Sequence, residues 1–326
     1  MVFSTDAACL RAASLAIGVL SASSAWASPR VVVSIPPIAS LVDNVMKGVG
    51  TATTLVPSGA SLHSYALKPT DAAALQSANA IFWVGPALET FLDRPIQNLG
   101  GNSTIVALMS APGVKLLKGR EGGVWEEHEE HEEHTDEGHD QKASEHGDHE
   151  DHDHESDGHI FLDPMNAKAI VITVLDTLRK IDPANAPTYA RNAAALAARI
   201  DALDAELVTT LAPVKTKPFI VFHDGYQYFE RRYGLMAAGS ITVSPERPPG
   251  AGRVAEIRKK IANLGAVCVF AEPQFEPKLI TTLIDGTKAG TGTLDPEGAS
   301  LPEGPDLYFA LMRALGRNLS ACLSAH

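Results

Sequence analysis

The chain has 326 residues, enough for two ordinary domains, and its 45% apolar and 6% aromatic content is that of a globular protein rather than a disordered or fibrous one. Its net charge of −12 is concentrated in one place: residues 126–157 hold sixteen Asp and Glu against Lys142 alone, a local −15 that leaves the remainder at +3. Nothing in that remainder resembles a basic groove, so no nucleic-acid partner is expected.

In chain order, Arg11 precedes an apolar run from Ala12 to about Ala25, and Ala25-Trp26-Ala27 fits an A-x-A cleavage site. Residues 1–27 are therefore expected to be a signal peptide, the mature chain starting near Ser28 as a soluble periplasmic protein. The run is too short for a bilayer, and no other segment reaches ~18 apolar residues. No cysteine follows it to carry a lipid anchor. Removing the signal leaves Cys268 and Cys322, which in an oxidising compartment read as one disulfide; two buried free thiols are the alternative.

Beyond Ser28, short apolar runs alternate with helical patterns. "RVVVSIPP", "TATTLVP", "AIFWVG" and "STIVAL" predict strands; "IASLVDNVMKGVG", "TDAAALQSA" with Thr70 as a cap, and "ALETFLDRPIQNLG" predict helices. The alternation implies βαβ units and a mostly parallel sheet. After a charged tract, "FLDPMNAKAIVITVLDTLRKI" turns helical. A longer helix follows, with Asp182 as its cap, Pro183 as its first residue, and Leu196, Ile200, Leu203, Leu207 and Leu211 on one face. From Pro213 the strand–helix alternation resumes through "PFIVFHD", "MAAGSITV" and "AVCVFAE", with "GRVAEIRKKIANLG" and "PKLITTLIDGTKAG" as helices and a terminal helix over "GPDLYFALMRALGRNLSACL". The expected fold is α/β: an N-terminal lobe over 28–181 with a loop at 121–158, a linking helix over 182–212, and a C-terminal lobe over 213–326. The default ligand site is the cleft between the lobes, near the carboxyl ends of the strands.

Outside the tract and His326, the mature chain has three histidines: His63, His159 and His223, all at strand ends or in loops and drawn from both lobes. Imidazole is the usual neutral nitrogen ligand for zinc, and Asp295, which follows a short strand, is the candidate fourth ligand. No HExxH or paired CxxC supports this locally, and a single histidine at a strand end is more commonly a surface or hydrogen-bonding residue.

"GASLHSYALKPTDA", "HIFLDP", "VFHDGYQYFERRYGL", "VFAEPQF" and "GTLDPEG" resemble, in the same order, the signature segments of the metal-binding proteins of bacterial ABC importers, and most closely their zinc branch. The resemblance implies two α/β lobes bridged by one long stiff helix, and metal ligands at His63, His159 and His223. Some zinc members have a glutamate just before the first histidine; Leu62 stands there, which leaves Asp295 or a water as the fourth ligand. Glu272 is then expected in a supporting role, and Asp224 either orients an imidazole or lies at the surface. Three imidazoles and one carboxylate suit Zn²⁺, whereas manganese prefers more oxygen.

The tract itself carries eight histidines from His128 to His154 among carboxylates, and so apolar-poor a segment is expected to be disordered. It is read as an accessory that gathers zinc near the cleft, against the alternative of a tolerated insertion with incidental affinity. The expected function is a monomeric, non-catalytic Zn²⁺-binding protein serving a membrane ABC permease. Its affinity should fall as pH drops towards 5, because imidazole binds metal only when neutral. A manganese or iron importer component, a zinc hydrolase and a buffer acting through the tract alone are the rivals.

Overall fold

A computed structural model describes residues 28–63, 65–120, 156–242, 250–265, 267–274 and 277–325. The expected signal peptide and the eight tract histidines lie outside the described residues.

Near the amino terminus, β1 (Val31–Val33), β2 (Thr53–Thr54), β3 (Ala80–Trp83) and β4 (Thr104–Ala107) form a parallel sheet in the order β2-β1-β3-β4. The helices α1 (Pro36–Met46), α2 (Pro69–Ser77) and α3 (Asp93–Leu99) are the connections. Every residue of β1 and β3 is buried, as expected of central parallel strands covered on both faces. Thr70 does not cap α2. The cap is Lys68, two residues earlier, because Pro69 needs no amide partner in the first turn and Asp71 turns back to accept from the Lys68 amide at 2.8 Å.

Two antiparallel-running helices follow, α4 (Pro164–Ile181) and α5 (Ala186–Leu211). Asp163 caps α4 by accepting the Met165 amide at 2.8 Å. Asp182 and Pro183 open a three-residue 3-10 turn, Pro183–Asn185, rather than α5 itself. The Asp182 carboxylate accepts from the side chains of Asn185 and Tyr189 instead of from the helix amides. The 26 residues of α5 extend about 39 Å at 1.5 Å per residue. Its buried face is the expected one, Leu196, Ile200, Leu203, Leu207 and Leu211, each at most 1% exposed.

The second sheet, β5 (Phe219–His223), β6 (Ala237–Thr242), β7 (Cys268–Ala271) and β8 (Gly290–Thr293), is again parallel in the order β6-β5-β7-β8. It is interleaved with α6 (Gln227–Tyr233), α7 (Ala251–Leu264) and α8 (Pro277–Ile284), and α9 (Leu307–Ala325) closes the chain. Cys268 on β7 and Cys322 on α9 form the disulfide.

The inner faces of the lobes do not have separate cores. One apolar cluster runs from β1 and α1 through α4 and α5 to β7 and α9, while each sheet has a smaller cluster on its outer face. α5 meets α9 so closely that a Cβ on Gly316 would lie 2.6 Å from Leu207 Cδ2. Among the described residues, no helix is long and apolar enough to cross a membrane.

Candidate metal centre

The three histidines that the sequence singles out converge. His63 stands in the loop after β2, His159 starts the 3-10 turn Ile160–Leu162 that leads into α4, and His223 is the last residue of β5. Ring centroids lie 5.7 Å apart for His63–His159, 5.9 Å for His63–His223 and 5.3 Å for His159–His223. One nitrogen from each ring falls within 4.8 Å of the other two. His159 and His223 are buried, and His63 is half-buried.

Carboxylates fix the two buried rings. His159 Nδ1 lies 2.8 Å from Asp157 Oδ1, which also accepts the His159 amide at 2.9 Å. His223 Nδ1 lies 2.6 Å from Glu272 Oε1, and the Tyr226 hydroxyl donates to the same oxygen at 3.0 Å. Burial pulls the His223 pKa down, but the Glu272 charge and hydrogen bond outweigh it and hold it above the ordinary value. The two Nε2 atoms face each other across the cleft at 3.4 Å, and in the neutral rings, with each Nδ1–H donated to its carboxylate, both carry a lone pair there. Two lone pairs at that distance repel unless a proton or a cation lies between them. Nitrogens about 2.0–2.1 Å from a tetrahedral zinc are about 3.3–3.4 Å apart, so the spacing is that of one edge of such a site. Carboxylate–imidazole pairs of this kind are the usual outer support of a metal-binding histidine.

Gly225 completes the cavity by having no side chain. A Cβ there would lie 2.4 Å from His223 Nε2 and 3.0 Å from His159 Nε2, in the space the cation would take. The cavity measures about 300 Å³, and its wall includes both approaches to the histidine tract. Lys118 and Ser156 pair as an antiparallel bridge, the Asp157 amide donates to Leu117 O at 2.8 Å, and the Tyr228 hydroxyl on α6 donates to Asp157 O at 2.8 Å.

Asp295 does not join the three nitrogens. Its carboxylate accepts the Ala299 amide at 3.0 Å, the Ser300 amide at 3.0 Å and the Ser300 hydroxyl at 2.9 Å, so both oxygens organise its own loop. Glu272 has the supporting role expected of it. Asp224 is neither at the surface nor bonded to an imidazole; it is half-buried and paired with Arg120. Asp157, counted by composition into the charged loop, belongs to the site. Its adjacency to His159 was the available signal. Gly225 follows His223 by two residues, but only the folded geometry reveals why it must be small.

Two parallel α/β lobes on a continuous core, closing over three imidazoles with carboxylates behind them, define a two-lobed solute-binding protein for a divalent cation. A family model described as the zinc-uptake complex component A, periplasmic, ZnuA, matches residues 31–322. The high-affinity zinc uptake system protein ZnuA of Brucella suis is 52% identical over 305 residues, covering 90% of this chain and 91% of that protein. Its counterpart in Paracoccus denitrificans is 42% identical over 301 residues, covering 91% and 92%. The chain therefore belongs to the ZnuA family of periplasmic zinc-uptake components. Among solved structures, one of ZnuA superposes with a TM-score of 0.72 at 24% identity, covering 91% of this chain and 99% of that one. A manganese-bound periplasmic metal-binding protein from Candidatus Liberibacter asiaticus superposes equally well, TM-score 0.72 at 21% identity, covering 91% and 100%.

Proposed function

We propose that this chain binds Zn²⁺ in the periplasm through His63, His159 and His223 and delivers it, as a monomer without catalytic activity, to the membrane permease of an ABC zinc importer. The observation that carries the reading is the pair of Nε2 atoms facing each other at 3.4 Å with both Nδ1 atoms held by carboxylates. Zinc is cargo here, and this chain's residues capture and orient it. Three imidazoles favour a borderline-soft cation over manganese, which prefers more oxygen donors. The fourth position belongs to a water, or to Asp295 after its carboxylate leaves Ser300.

Calorimetry against a competing chelator tests the assignment. The wild-type chain should bind one Zn²⁺ tightly in the cleft. His159→Ala and His223→Ala should each weaken it by more than the 10–100-fold typical of an outer-shell change. Asp295→Ala should cost less than tenfold if water is the fourth ligand, and far more if Asp295 is. Tight binding that survives both histidine substitutions would overturn the reading.

A further inference from the structure

Beside the three histidines lies a buried ion-pair cluster that metal capture by imidazole does not require. Asp224 directly follows His223 and lines the same cavity, with its side chain 7% exposed. The Arg120 guanidinium grips it from the opposite wall: Nε donates to Asp224 Oδ2 at 2.9 Å and to Oδ1 at 3.0 Å, and Nη2 also bonds Oδ1. The other side of the fork is anchored on α6, where Nη1 donates to Glu230 Oε2 at 2.8 Å. Among the described residues lining the cavity, Arg120 is the one permanent cation.

Arg120 sits between two carboxylates, so the cluster adds no net positive charge to the cation site; its effect is to occupy the Asp224 oxygens. A buried carboxylate without a partner is strongly unfavourable, and a divalent cation in the cavity is the other positive charge that could relieve it. An added carboxylate oxygen would favour harder ions that take more oxygen and higher coordination numbers.

We propose that Arg120 sets metal selectivity as a positioning residue: by holding Asp224, with Glu230 fixing its own orientation, it keeps carboxylate oxygen off the cation and preserves an imidazole cage for Zn²⁺. This deepens the function proposed above and rests on it.

The test is competitive titration of metal-free protein with Zn²⁺ and with Mn²⁺, read as the ratio of the two dissociation constants. Arg120→Met frees Asp224 and should shift the ratio at least tenfold towards Mn²⁺. Arg120→Met/Asp224→Asn should return it to the wild-type value, because no carboxylate remains to be recruited. Arg120→Lys should fall between, since an ammonium keeps the charge but cannot fork across two carboxylates. Should Arg120→Met not fold, Arg120→Lys alone carries the test, and an unchanged ratio overturns the proposal. So does a ratio unchanged in folded Arg120→Met, or shifted equally with and without Asp224. His159→Ala, titrated in parallel, separates the two readings: loss of tight zinc there with no selectivity shift at Arg120 defeats this inference alone.

Discussion

At the scale of single residues, the site depends as much on what surrounds the histidines as on the histidines. Gly225→Ala adds one carbon, but it would lie 2.4 Å from His223 Nε2, where the metal belongs, and the local backbone would have to move. Zinc affinity should fall at least 100-fold while stability drops by about the 1–3 kcal/mol of an overpacked site, a pairing that titration and calorimetric melting together can check. Glu272→Gln and Asp157→Asn retain size but remove the charge behind each ring. Each should weaken zinc 10–100-fold without changing the stoichiometry, which the same titration would read. Glu89 tests burial away from the metal site. Its Oε2 accepts the Gly85 amide at 3.0 Å, and burial, only partly offset by hydrogen bonds from Ser34, Gly85 and Val84, pushes its pKa up from 4.5 to about 7. The unfolded chain therefore releases this proton at a lower pH than the folded chain does. Stability is lost as pH rises from about 4.5 to about 7, by a few kcal/mol at most for a shift of this size. Glu89→Gln removes the group, so urea midpoints of variant and wild type should differ more in the variant's favour at pH 8 than at pH 5. An equal difference at both pH values would remove Glu89 as the cause.

At the scale of elements, the long apolar patterns were legible because their periods are unambiguous. The leucine face of α5 and the fully apolar β1 and β3 needed no tertiary information. What escaped the sequence was short or decided by contacts. Seven-residue α6 shows too few turns for a period to emerge, yet its Tyr228 and Glu230 support the cavity wall. The α2 cap was misplaced because Thr70 is a good cap in general, whereas Pro69 sets the actual start. The three histidines were legible through their rarity outside the tract and the resemblance of their flanking segments; Arg120 was not, because nothing local marks an arginine whose partners are 104 and 110 residues away. The disulfide is likewise an element-level device. It ties α9 to β7 across a separation of 54 residues, worth on the order of 4 kcal/mol in the chain-entropy picture. Cys322→Ser should lower the unfolding free energy, read from the urea midpoint and slope, by an amount of that order and leave zinc affinity within about threefold, since neither sulfur lines the cavity.

At the scale of the whole molecule, the two sheets share one apolar core. The apolar cluster continuous through α1, α5 and α9 is reinforced by polar ties across the lobes: the Ser40 hydroxyl donates to Pro305 O at 2.9 Å, and Arg199 bonds both Asn44 and Asp306. Wide hinge opening would expose that cluster to water, at roughly 25 cal/mol per Å² of apolar surface, which disfavours separation of the lobes. This arrangement also fixes how the histidine tract should be tested. Cutting it away as far as Asp157 would remove the carboxylate that orients His159, and lost zinc affinity would then be blamed on the wrong residues. A deletion of residues 126–154 leaves the Lys118–Ser156 bridge and Asp157 in place. It should retain one tight zinc site with wild-type affinity and lose only weaker, exchanging sites, with slower zinc loading when the metal is scarce. Loss of the tight site from this shorter deletion would instead make the tract the receptor, with the three histidines as its neighbours.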